Sequence, residues 1–141
     1  MRRTLIAAAL TAALILPGAA FSKTFKWASQ GDILTLDPHS QNEGLNIQAN
    51  FYVYEPLIKY NEKFELEPAL ATSWELVNPT TWRFKLRPNV KFHDGAPFTA
   101  DDVVFSIKRA MAPSSQYKSY VTGIKEVKAI DPMTVEILTD A

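Results

Sequence analysis

The chain has 141 residues and no cysteine, and its 15 Lys and Arg balance 15 Asp and Glu. The missing cysteine excludes a disulfide scaffold, thiolate metal sites, thiol nucleophiles and a lipid-modified N-terminal Cys. A near-neutral balance with no basic block argues against nucleic acid as the partner, because neutralising phosphates needs clustered Lys and Arg. At 47% apolar and 21% charged, the composition is that of a globular chain.

The N-terminus has the layout of an export signal. Arg2 and Arg3 precede an apolar run, Leu5 to Leu16, broken only by Thr11, and Pro17-Gly18 ends its helical tendency. Small residues, Ala20 and Ser22, then flank Phe21 at a cleavage position. Residues 1–22 are therefore read as a cleavable secretory signal peptide, since a membrane-spanning helix needs about 20 apolar residues. Without its two arginines the remainder, 23–141, is slightly acidic and about one domain in size.

Eight prolines from Pro38 to Pro132 divide this remainder into short elements. Thr24 to Ser29 reads as a strand by alternation, Gly31 to Pro38 as a loop, and Leu45 to Tyr54 as a helix with Ile47, Phe51 and Tyr54 on its apolar face. Leu57 to Tyr60 reads as extended before the turn Asn61-Glu62-Lys63, and Glu67 to Ala71 as one helical turn with Pro68 at its first position. Ser73–Val77 and Thr81–Arg87 flank Asn78-Pro79-Thr80 as a hairpin. In its second strand Trp82, Phe84 and Leu86 alternate with Arg83, Lys85 and Arg87, so the cations form a solvated outer face or, less simply, an anion site. Val90 to His93 is expected to extend the sheet, and Asp94-Gly95 to turn it.

Thr99 and Asp102 predict a capped helix start, and Asp101 and Asp102 oppose the positive end of the helix dipole. Val103, Val104, Ile107, Ala110 and Met111 make the apolar stripe, and Lys108 and Arg109 sit where the dipole favours cations. Ile124–Ile130 and Thr134–Thr139 form a final pair of strands around Asp131-Pro132. Catalytic chemistry finds no support. His39 and His93 lack metal-ligand spacing, the five glycines are scattered singly, and no G-x-S-x-G elbow occurs. A non-enzymatic binding module, with no metal and no cofactor, is the expectation.

Three stretches carry a family resemblance: Thr35-Leu36-Asp37-Pro38-His39; Tyr54-Glu55-Pro56-Leu57-Ile58 with Pro68-Ala69-Leu70-Ala71-Thr72-Ser73-Trp74-Glu75; and the long string from Trp82 through Phe92-His93-Asp94-Gly95 to Phe98-Thr99-Ala100-Asp101-Asp102-Val103. Together they resemble the extracytoplasmic solute-binding proteins of ABC importers, family 5, whose members handle peptides, nickel complexes, glutathione-like compounds and sugar oligomers. The resemblance implies an α/β fold, a periplasmic-binding-protein-like type II lobe with a mixed β-sheet and flanking helices. Relatives have two lobes hinged around the ligand, so residues 23–141 are expected to be an incomplete first lobe, an N-terminal fragment.

By the same resemblance the chain captures di- or oligopeptides in the periplasm, as a monomer, and delivers them to ABC permease subunits in the inner membrane. The matching ligand-binding positions are Glu43, Gly44, Leu45 and Tyr117. Gly44 would admit backbone close to the ligand, Leu45 would offer main-chain donors and acceptors, and Tyr117 an aromatic wall. Plainer alternatives stay open: Gly44 starts a helix, Tyr117 is a surface loop residue, and the fragment is a secreted interaction module that binds no solute.

Overall fold

The computed structural model describes residues 24–26 and 28–140. The expected signal peptide lies outside the described residues, as does Trp27 of the expected first strand. The rest of that stretch, 24–26 and 28–29, forms no strand. The chain divides into two units, Met1–Gln30 and Gly31–Ala141, and the architecture that follows is that of the second.

Its regular elements are α1 (Gly44–Asn50), β1 (Ile58–Tyr60), β2 (Leu66–Pro68), β3 (Ala71–Asn78), β4 (Thr81–Leu86), α2 (Ala100–Met111), a 3₁₀ turn (Lys118–Val121), β5 (Ile124–Asp131) and β6 (Thr134–Thr139). The two short strands pair as β1-β2, and the other four form one sheet in the order β3-β4-β6-β5. Every strand pairing is antiparallel. The parallel neighbours of a mixed sheet are not found among the described residues.

Both long hairpins close by the same local chemistry. Asn78 Oδ1 accepts from the Thr80 amide at 3.1 Å, and Asp131 Oδ1 accepts from the Met133 amide at 2.8 Å. Each Asx residue precedes a proline whose fixed φ suits the first turn position. Alternation then sorts the faces. On the outer face Glu75, Arg83, Glu136 and Lys128 are direct cross-strand neighbours in one row of alternating charge. Arg83 donates to Glu136 at 2.7 and 2.9 Å and reaches Glu75 at 3.4 Å. Arg83 is thus ion-paired on this outer face, and Lys85 donates to the Thr134 hydroxyl at 2.8 Å. Arg87, just past β4, binds Glu55 at 2.6 and 2.8 Å, which favours the plain outer face over an anion site. On the inner face Leu86, Val127, Val135 and Ile137 join Phe98, Ala100 and Val103 in the core.

Helix α2 packs on β5 and β6 through Val103, with Val104 and Ile107 beside it. It starts in a reciprocal capping box, in which Asp102 Oδ2 accepts from the Thr99 amide at 2.8 Å. The buried Ala100 amide donates to the Pro132 carbonyl at 2.8 Å, which pins the helix start to the β5-β6 turn.

Three expected elements differ. Residues Glu67 to Ala71 make no helical turn: the Ala69 and Ala71 amides donate to Leu57 and that of Leu70 to Pro56, so ladder bonds displace helical ones. Pro68 ends β2, where its missing N–H disturbs least. Val90 to His93 does not extend the sheet. Asn89 turns with φ +61°, and the segment closes on itself through Phe98 N–Val90 O and Phe92 N–Ala96 O, with Gly95 at φ +90°. Helix α1 is shorter than expected, ending at Asn50, and its buried side is Asn46, Ala49 and Asn50 rather than the aromatic stripe. Phe51 and Tyr54 face solvent, because the bond from the Leu34 amide to Asn46 Oδ1 sets which side turns inward.

Candidate functional site

The segment leading to α1 is shaped by carboxylates binding nearby amides. Asp37 Oδ1 accepts from the His39 amide at 2.9 Å, which tightens the turn at Pro38. Glu43 caps α1, accepting from Leu45 N at 3.0 Å and Asn46 N at 3.2 Å. Two of the expected site residues therefore meet in a cap: the Glu43 carboxylate is engaged, and the Leu45 amide is already bonded to it. Gly44 is the first helical residue, in ordinary backbone, and a Cβ added there meets nothing within 4 Å. Open space lies over that backbone.

Across from this segment is the connection that follows α2. Arg109, in the last turn of α2, binds Asp37 with both arms of its guanidinium, Nη1 to Oδ1 at 2.7 Å and Nη2 to Oδ2 at 2.5 Å. Such a two-armed pair fixes orientation as well as distance. This pair, backed by the His39 amide, holds the Asp37 carboxyl down at about 2 and drives the Arg109 pKa further up. Arg109 Nη1 also lies 3.1 Å from His39 Nδ1. Burial lowers the His39 pKa and the Arg109 charge adds to this, with Asp37 opposing.

Tyr117 packs against this group. Its ring meets the His39 ring edge-on at 6.1 Å and the Tyr120 ring at 5.7 Å. Burial, and then Tyr120, raise the Tyr117 hydroxyl pKa. The Tyr120 hydroxyl accepts from Asn42 Nδ2 at 3.3 Å, and the Gln116 amide donates to the His39 carbonyl at 3.0 Å. The turn carrying Glu43 and Gly44 is thereby stitched to the connection carrying Tyr117. An open cleft of about 210 Å³ adjoins the stitching, lined by Asp37, His39, Ser40, Arg109, Ser114 and Ser115. None of the four expected site residues lines it.

Asn42, His39 and Tyr120 escaped the sequence reading as site residues, and Arg109 entered it only as a cation suited to a helix end. The L-D-P motif pointed to Asp37 without its partner, which lies 72 residues away. Among the described residues, no helix is long and apolar enough to cross a membrane.

Comparison with known proteins identifies the family. A family model for bacterial extracellular solute-binding proteins, family 5, middle region, matches residues 65–141. The glutathione-binding protein GsiB of Pectobacterium atrosepticum is 32% identical over 139 residues, covering 96% of this chain and 27% of that protein. The chain thus spans little more than a quarter of the length of the curated relatives it matches. Among solved structures, the murein tripeptide binding protein MppA of Escherichia coli is 31% identical with a TM-score of 0.68, covering 75% of this chain and 25% of that one. The binding protein MoaA of A. tumefaciens R10, solved with mannopinic acid, is 37% identical with a TM-score of 0.70, covering 77% and 23%.

Proposed function

Because the chain belongs to the bacterial extracellular solute-binding proteins of family 5, we propose that it supplies part of the solute-capturing component of an ABC importer, and that its solutes are short peptides. It acts in the periplasm, reached through the signal at residues 1–22, and hands its solute to permease subunits in the inner membrane. It is a binding protein rather than an enzyme.

The observation that carries this reading is the match over residues 65–141, which runs from the start of β2 through α2 to β6. Two of the similar proteins bind peptides by their names, glutathione and a murein tripeptide, which supports a peptide solute. The site residues proposed are those expected from the sequence. Gly44 leaves its backbone open to a close-lying main chain, and Tyr117 stands as an aromatic wall on the far side of the stitched turn. Glu43 acts by holding the turn, through its cap on Leu45.

Titrating the ¹⁵N-labelled chain with di- to pentapeptides, followed by amide chemical shifts, tests the reading. Saturable shifts at Gly44, Leu45 and Tyr117 are expected, with weak affinity for so small a share of the relatives' length. Their absence for every peptide, or equal shifts with free amino acids, would sink it. Sequencing the N-terminus of material from the periplasmic fraction checks export, with a start near Lys23 expected.

A further inference from the structure

The next step rests on the solute-binding reading and concerns what holds its two sides together. His39 is the residue at which three elements meet. Its carbonyl takes the Gln116 amide, its ring meets that of Tyr117 in a T-shaped contact, and its Nδ1 lies 3.1 Å from Arg109 Nη1. A guanidinium only donates. The contact therefore requires Nδ1 to be an unprotonated acceptor and places the ring proton on Nε2, an assignment made from the network of contacts.

We propose that His39 is a proton-operated latch: when neutral its ring joins the loop that leads into α1 to Arg109 and Tyr117, and when protonated it lets both go, so that the two sides of the site loosen and solute capture weakens in acid. Protonation turns the acceptor into a second donor, facing the cation that donates to it. The charged ring then has somewhere to go, because the 210 Å³ cleft opens beside it.

The groups around His39 leave it the one that changes charge. From its own loop Asp37 faces it, held ionised with its carboxyl at about 2. From α2 comes Arg109, whose pKa the carboxylate drives further up. From the connection comes Tyr117, whose hydroxyl burial pushes up. Between about pH 5 and 7.5, where an imidazole titrates, these three keep their charge states. The direction of the His39 shift agrees: with its folded pKa below 6.5, through burial first and Arg109 second, the neutral ring belongs to the latched form and proton uptake to the released one.

The test follows the ¹⁵N-labelled chain from about pH 7.5 to 5, reading the His39 ring nitrogens together with the Asn42, Gln116 and Tyr117 amides, without and with a tripeptide. Expected is a neutral Nε2–H ring at high pH. The three amides then move with the His39 titration, and peptide affinity falls about fivefold across it, the equivalent of one lost hydrogen bond. In His39→Asn, which keeps an acceptor near the Nδ1 position with nothing to titrate, both responses vanish, which also separates His39 from His93. Amides that stay still while the ring titrates, or an affinity loss that persists in His39→Asn, would overturn the latch. If no peptide binds at any pH, the solute reading fails, while the amide response still decides the latch.

Discussion

The sheet with α2 and the segment from Leu34 through α1 hold their shapes by opposite means. In the first, Leu86, Val103, Val127, Val135 and Ile137 are buried against one another, and shape follows from removing apolar surface from water. In the second, Asn46 and Asn50 are the buried polar residues, while Leu34, Phe51 and Tyr54 face solvent, and order comes from carboxylates and side-chain amides bonded to backbone. Apolar packing is non-directional and tolerates adjustment. A network of hydrogen bonds is directional, sensitive to protonation, and suited to placing a few groups at a set spacing.

Substitutions separate the two. The largest effect is expected for Leu86→Ala, which leaves a cavity under the sheet: urea denaturation should show a loss of about 2–5 kcal/mol. A loss below that range would mean that the sheet does not depend on its apolar face. Next comes Thr99→Ala, which breaks the capping box of α2 and should cost about 1 kcal/mol in the same assay.

Removing the guanidinium in Arg109→Met should leave global stability nearly unchanged, since the pair is partly exposed. Hydrogen exchange at the Gln116 amide should accelerate, while amides of β4 and β6 keep their protection. If the sheet loosens equally, the two regions are one cooperative unit. The acid limb gives a finer cut. The Asp37 carboxyl stands at about 2 in the folded chain against 3.8 ordinarily. Its contribution is therefore present above about pH 4 and is lost as pH falls toward 2. Carboxyl titration by NMR should show Asp37 returning toward its ordinary range in Arg109→Met.

The smallest effect on stability belongs to Gly44→Ala, because the added methyl meets open space and the backbone is already helical. Thermal melting should barely move, yet peptide-induced shifts should disappear. A variant that binds as well as the parent would remove Gly44 from the site.

Much of the sheet region was legible in the sequence because its signals are local. Asn78-Pro79 and Asp131-Pro132 specify turns within a few residues, alternation from Trp82 to Arg87 sorts two faces, and Thr99 with Asp102 starts a helix one turn long in its information. The turn before α1 was legible only as a motif. Helix α1 is shorter than its sequence implies because an aromatic run at helical spacing imitates a buried stripe, whereas the burial of Asn46 depends on an amide twelve residues away. The helical reading of Glu67 to Ala71 failed for the same reason, as its amides were claimed by Pro56 and Leu57.

By itself, then, the sequence determined the hairpins, the cap of α2, the charge pattern of the outer face and the family. Only the tertiary structure decided that Arg109, suited by position to a helix dipole, is spent on Asp37 and His39, and that Asn42 and Tyr120 close the same circuit. Turns and caps are settled by groups a few bonds apart, whose proximity the chain guarantees. A pairing across 72 residues exists only once the sheet and α2 have packed, because their packing is what brings its two halves within reach.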